Sequence, residues 1–308
     1  MNEFNLTYNN NHNVRMVVEK DAICIEHIPT DGIYDSIIVS LVDNKGNRSD
    51  SNPINKCRNR FYIQLNNVQP GQYSLSCYKR SFAFEPYSYW FGKIPINIDS
   101  KRAVSFEKSP VYDSNVNYFR HMVNKPVRNE TKSEVPTQVI GLVAYNLTRN
   151  CSTSYDAALA IHDFISQTIG YDLDACDKIL KKENTDYSKV SVPSLVLESS
   201  KGVCSGFSNL AVSMFTSIGI PAKTISCYAL GYSTEGKWSE TAIQSTSNHV
   251  ITAVNIGSRW LFMDTTWDCK RKYREGRVVE QRPLSREYFD PTLQFLSCTH
   301  KILQAVDC

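Results

Sequence analysis

The chain has 308 residues, 42% apolar and 21% charged. This is a globular composition, long enough for two domains, and it excludes a largely disordered or low-complexity protein. Its 34 basic and 31 acidic residues leave a net charge of +3, too balanced for a nucleic-acid binder, and no stretch nears the ~18 apolar residues of a membrane span.

The start, Met1-Asn2-Glu3-Phe4-Asn5, is polar and lacks the apolar core of a signal peptide. Short β-rich runs follow at 13–19, 22–26 and 36–42, then a polar turn at 43–47, then runs at 60–65 and 73–78. Short strands separated by turn signals predict a small all-β sandwich over residues 1–110. No acid, base or nucleophile cluster falls there. Its aromatic group, Phe82, Phe84, Tyr87, Tyr89, Trp90 and Phe91, reads as core and rim packing ahead of a binding patch.

The character changes near residue 110. Pro110, Pro126 and Pro136 lie among polar residues, which predicts a linker or surface segment over 111–136 and a second domain over 137–308. Helical spacing appears with Ala157, Ile161, Phe164, Ile165 and Ile169 on one apolar face. Thr153 is the expected cap and Gly170 the expected stop. His162 and Asp163 fall off that face and are expected on a solvated surface.

Ten cysteines include no C-x-x-C pair, which argues against a zinc ribbon or a thioredoxin-type site. The expectation is mostly buried free thiols and no metal or cofactor. One cysteine has a distinctive setting. Lys201-Gly202-Val203-Cys204-Ser205-Gly206-Phe207 opens a helical run, Phe207, Leu210, Ala211, Met214, Phe215 and Ile218, that Gly219-Ile220-Pro221 ends. Cys204 therefore falls at the first turn of a buried helix, where unpaired amides and the dipole favour a thiolate. Glycines at 202 and 206 allow other backbone to come close.

Two strands follow, Asn248 to Val254 and Arg259 to Asp264, joined by Asn255-Ile256-Gly257-Ser258. With Val254 opposite Arg259, His249 falls directly opposite Asp264 on one face. The carboxylate can then hold one imidazole nitrogen and leave the other for a thiol. Cys204, His249 and Asp264 make a nucleophile, base and orienter set. The backbone amide of Cys204 is one oxyanion donor; the residues name no second.

Gly202-Val203-Cys204-Ser205-Gly206-Phe207, Gly219-Ile220-Pro221-Ala222, His249, Arg259-Trp260 and Asp264-Thr265-Thr266-Trp267 resemble the transglutaminase-like superfamily over roughly residues 154–300. Tyr288-Phe289 and His300 fit its downstream segment more loosely. The resemblance implies an α+β fold with a papain-like core and a catalytic triad of Cys204, His249 and Asp264. It also implies that the β-rich first half is an immunoglobulin-like domain, a surface for protein or glycan contact. One departure is plain: the family commonly follows its His with Ala-Trp-Asn, and this chain has Val250-Ile251-Thr252. Trp260 and Trp267 are expected either to line the cleft or to pack the core.

These readings converge on a cysteine-dependent acyl-transfer enzyme acting on peptide or protein amides through a thioester. A hydrolase is favoured over a transglutaminase, and no D-x-[DN]-x-[DN]-G calcium loop is present. The alternative is a transglutaminase-like binding or scaffolding protein without turnover. The compartment stays open: reduced thiols and the polar start lean cytoplasmic, whereas sequons such as Asn129-Glu130-Thr131 and Asn146-Leu147-Thr148 lean extracellular.

Overall fold

The computed structural model describes residues 2–8, 12–19, 22–26, 36–50, 54–55, 60–65, 67–80, 88–106, 108–124, 137–231, 237–257 and 259–303. Phe82, Phe84 and Tyr87, the sequon at Asn129, and Pro126 and Pro136 lie outside them. The chain divides into two compact units. Residues 1–123, 230–243 and 290–301 form the first, and residues 124–229, 244–289 and 302–308 form the second. No helix among the described residues is long and apolar enough to cross a membrane.

The first unit opens with β1 (Asn2–Tyr8), β2 (His12–Glu19), β3 (Ala22–Glu26), β4 (Ser36–Asp43), β5 (Arg48–Asp50), β6 (Ile54–Asn55), β7 (Arg60–Gln64), β8 (Gly71–Arg80), β9 (Ser88–Ile98) and β10 (Val104–Phe106). They make two antiparallel sheets, one ordered β1-β2-β3-β7 and one ordered β10-β9-β8-β4-β5 with β6 also on β4. Period-two burial sets their inner faces. Ile94, Ile96 and Ile98 are buried between half-buried Pro95 and Asn97, and Ile63 and Leu65 are buried around exposed Gln64. The polar segment 43–47 turns because the Asp43 carboxylate accepts the N–H groups of Lys45 and Asn47, 2.9 and 2.8 Å away, while Gly46 takes φ +83°.

Within the stretch read as linker, residues Tyr112–Asn124 form α1, with Val116, Phe119 and Met122 buried. Its buried Asn115 donates to Ser297 Oγ and to the His300 carbonyl, each at 2.8 Å.

The second unit carries α2 (Gln138–Thr148), α3 (Ser154–Thr168), β11 (Gly170–Asp172), α4 (Leu173–Leu180), α5 (Ser188–Ser191), α6 (Pro193–Ser199), β12 (Lys201–Gly202), α7 (Cys204–Ser217) and β13 (Ala222–Ala229). After α8 (Glu240–Gln244) come β14 (His249–Asn255), β15 (Trp260–Met263), β16 (Arg271–Arg274) and β17 (Arg277–Gln281). Most of α8 and all of α9 (Leu293–Thr299) lie in segments grouped with the first unit, and α9 leads to β18 (His300–Ile302). The helical expectations hold. Thr153 caps α3, accepting the Asp156 N–H at 3.1 Å while its hydroxyl donates to the Asp156 carboxylate at 2.8 Å. Gly219, at φ +78°, ends α7, with the Ile220 N–H on the Phe215 carbonyl at 3.0 Å. Gly170 is different: it opens β11, and the ring of Tyr273 occupies the place of its missing side chain, 2.1 Å from where a Cβ would sit.

One core joins these elements. Ile140 and Ala144 of α2, Ile161 and Ile165 of α3, Phe207, Leu210, Met214 and Phe215 of α7, and Val254, Leu261 and Met263 of the hairpin all pack together. Each large side chain buried there contributes about 1.5–3 kcal/mol. Two sheets flank it. One runs β12-β11-β16-β17, with β11 parallel to both neighbours, and the other is antiparallel through β15, β14 and β13.

Candidate active site

Cys204 is the first residue of α7, and Val203 caps the helix in extended conformation without a side-chain bond. The Cys204 N–H therefore has no acceptor within the helix. Gly202 pairs with Tyr171 across β12 and β11. A Cβ at Gly206 would lie 2.1 Å from the Val190 carbonyl oxygen, and one at Gly202 would lie 3.3 Å from the same atom. Both glycines admit the backbone of α5, as their spacing around Cys204 suggests. Ser208, one turn into α7, donates to the Val250 carbonyl at 3.1 Å and ties the helix to β14 beside His249.

His249 begins β14 and pairs with Cys227 of β13. Its start is fixed by Asn248, whose side chain accepts the Ala229 N–H at 2.8 Å and donates to the Ala229 carbonyl at 3.0 Å. The expected hairpin register is shifted by two residues: Asn255 faces Trp260 and Thr252 faces Met263. The reason is the turn, which Ile256 closes by donating to the Arg259 carbonyl at 2.9 Å. A slip of two keeps every side chain on its face, so His249 and Asp264 become diagonal neighbours instead of opposed ones. Asp264 has left the ladder and gives its N–H to the Tyr288 carbonyl at 3.0 Å.

His249 Nε2 lies 2.7 Å from Asp264 Oδ2, and both side chains are buried. The other carboxylate oxygen accepts the N–H groups of Thr266 and Trp267 at 2.9 and 3.0 Å. Nδ1 is the nitrogen left for Cys204, whose half-buried thiol hydrogen-bonds to the imidazole. Burial alone would push that thiol up, but the hydrogen bond and the charge of His249 hold it below the usual thiol range. Burial disfavours the imidazolium, yet the Asp264 carboxylate raises His249 to about 10. Both directions favour the charged forms of the pair over the neutral ones.

The surroundings add Tyr171 and Cys176, which the sequence does not single out, to the expected tryptophans. Tyr171 donates to Cys176 Sγ at 3.1 Å, and both feel the Cys204 charge. Trp267 is half-buried with its ring 6.1 Å from that of His249, and Tyr288 meets it edge-on at 5.0 Å. Trp260 is buried, with Lys223 Nζ 5.1 Å over its ring. Among the described residues six cysteines are free, Cys227 and Cys269 buried and Cys151, Cys176, Cys204 and Cys298 half-buried.

His162 and Asp163 depart most from expectation. His162 is fully buried. Its Nδ1 faces Asp163 Oδ1 and its Nε2 faces Asp268 Oδ2, each at 3.1 Å, and Arg286 holds Asp163 through bonds of 3.0 and 2.5 Å. The residues past β15 cover this side of α3, which helical spacing alone does not reveal.

No curated protein sequence matches the chain. Among solved structures, one described as a TGase is 20% identical with a TM-score of 0.35, covering 61% of this chain and 44% of its own, so the chain spans less than half of that protein. A candidate cysteine protease from Cytophaga hutchinsonii is 17% identical with a TM-score of 0.33, covering 82% of this chain and 74% of its own. A candidate protease from Parabacteroides distasonis is 9% identical with a TM-score of 0.30, covering 78% and 62%. The segment that supplies α7, β14 and Asp264, residues 142–265, matches the family model of the transglutaminase-like superfamily.

Proposed function

We propose that the chain is a cysteine-dependent acyl-transfer enzyme acting on peptide or protein amides, with Cys204 as nucleophile, His249 as acid and base, and Asp264 as its orienter. The observation that carries this reading is the buried His249 imidazole held by the Asp264 carboxylate at 2.7 Å, beside the first turn of α7 that carries the Cys204 thiol. The thiolate attacks the carbonyl carbon, and the Cys204 N–H faces the developing oxyanion. His249 gives its proton to the leaving amine as the C–N bond breaks, leaving a thioester on Cys204. An acceptor then attacks the thioester while His249 takes the acceptor's proton and the sulfur departs as thiolate. Water as acceptor gives hydrolysis, the outcome favoured here, and a primary amine gives transfer.

The test uses p-nitrophenyl acetate as a small acyl donor. The expected result is a burst of nitrophenol, an acetyl group on Cys204 in the mass spectrum, and turnover that Cys204→Ala abolishes without changing the fold. Adding a primary amine separates hydrolysis from transfer. Acetylation no faster at Cys204 than at the other cysteines overturns the enzyme in favour of a binding protein built on the same core.

A further inference from the structure

The buried network around His162 adjoins the proposed site and has no part in the chemistry given above. His162 lies in α3 with both ring nitrogens 3.1 Å from carboxylate oxygens, Asp163 on its own helix and Asp268 on the turn after β15. A neutral imidazole carries one N–H and can satisfy one of these acceptors; only the imidazolium donates to both. The charges also close. Arg286, from the segment after β17, binds Asp163 with two nitrogens, at 3.0 and 2.5 Å, so two cations face two anions. Ser285 donates to the remaining Asp268 oxygen. The ring of Phe289 lies 5.1 Å from that of His162 and shields it. These are the charged and titratable groups that face His162 from α3, from the turn and from the covering segment. Burial alone would push His162 down, but Asp163 and Asp268 outweigh it and raise it, in agreement with the donor count.

The network reaches the site through two links, one of them Tyr288. Tyr288 gives its N–H to Asp268 Oδ2 at 2.8 Å and accepts the Asp264 N–H on its carbonyl at 3.0 Å. The Asp268 N–H returns to the Asp264 carbonyl at 3.2 Å. The two aspartates therefore bracket one turn. Asp264 orients His249 from one end, and Asp268 is fixed to α3 by His162 at the other. If Asp268 changes rotamer, Tyr288 loses the acceptor of its N–H, and the carbonyl that holds the Asp264 N–H loosens, and with it the carboxylate that holds the proposed base. Local spacing cannot enforce this, because Asp264 lies beyond the last ladder pair of β15.

We propose that His162, carried as an imidazolium between Asp163 and Asp268, is a positioning residue that locks the turn presenting Asp264 to His249. The proposal rests on the assignment of Cys204, His249 and Asp264 made above, and its test keeps the two separable.

The test is the pH profile of Cys204 carboxymethylation by iodoacetate in the full chain, compared between the wild-type protein and His162→Gln. The wild-type profile should keep its thiolate limb well below the ordinary thiol range. In His162→Gln that limb should move up by about one unit, so that the rate at pH 5.5 falls roughly tenfold. At pH 10, above the titration of Cys204 in either protein, the two rates should agree, an agreement that global damage would not give. A folded His162→Gln protein with the wild-type profile overturns the proposal while leaving the acyl-transfer assignment intact. A wild-type profile without a low limb sinks that assignment first. Should the variant fail to fold, nitrogen-15 shifts of the histidine rings in the wild-type protein decide instead. Two protonated nitrogens at His162 at pH 7.5 support the proposal, and a neutral ring there overturns it.

Discussion

Asp264 divides its two oxygens between two tasks: Oδ2 lies 2.7 Å from His249 Nε2, while Oδ1 accepts the N–H groups of Thr266 and Trp267. The carboxylate is thus oriented by its own turn before it meets the imidazole. In Asp264→Asn the amide oxygen is expected to keep the two backbone donors, which turns the amide nitrogen toward Nε2. Nε2 must then accept, and the ring proton moves to Nδ1, where it faces the Cys204 sulfur. Such a ring cannot take the thiol proton. Acyl transfer should fall by roughly three to four orders of magnitude, by analogy with other triads, with the thermal midpoint lowered little. Full activity in a folded Asp264→Asn protein would remove Asp264 from the mechanism.

Reactivity should be selective among thiols. Burial raises Cys176 and Cys227, raises Cys151, and raises Cys269 to about 11, whereas Cys204 alone among these is lowered. Brief treatment with iodoacetamide at pH 6.5, followed by peptide mass spectrometry, should place the label on Cys204 at least tenfold ahead of the other four. Comparable labelling of Cys176, its electrostatic neighbour, would show that proximity and not the imidazole sets the reactivity.

The same imidazole carries a pH-dependent share of stability. The folded His249 value, about 10, lies above its unfolded value of about 6.5. Its contribution is therefore fully present below about pH 6.5 and is lost as pH rises through about 10. The midpoint of urea unfolding should fall from pH 6.5 to pH 10 in the wild-type protein, and His249→Gln should remove that part of the slope. An unchanged slope would mean that the ring is neutral in the folded protein.

The parts of this molecule that local patterns encode were legible in the sequence. The helix of Cys204 shows itself by spacing and by its terminal Gly219, and the cap of α3 by Thr153. The strands of the hairpin are legible too, but their register is not. That depends on how the turn closes through Ile256 and Arg259, and a slip of two leaves the pattern of buried residues unchanged. Nor is the setting of His162: its partner Asp268 is 106 residues away, and helical spacing shows only that His162 is off the apolar stripe. The grouping of residues 230–243 and 290–301 with the first unit is hidden for the same reason, since composition changes along the chain mark contiguous pieces only.

Two glycines of the same helix should respond to alanine for opposite reasons. At Gly219 a Cβ meets nothing within 4 Å, but φ is +78°. Gly219→Ala should therefore cost only backbone strain, about 1–2 kcal/mol, and leave Cys204 untouched. At Gly206 the dihedral is ordinary, but a Cβ would sit 2.1 Å from the Val190 carbonyl oxygen and 2.9 Å from Val196 Cγ2. Backbone has to move, because a carbonyl cannot rotate away as a side chain does. Gly206→Ala should cost about 1–3 kcal/mol and should also push the first turn of α7 away from α5, shifting Cys204 relative to His249. Unfolding curves give the stabilities, and the rate of Cys204 alkylation at pH 6.5 reads the displacement. The expected result is loss of fast alkylation in Gly206→Ala and its retention in Gly219→Ala. Equal alkylation in the two would mean that the close approach of α5 supports the fold without setting the position of the sulfur.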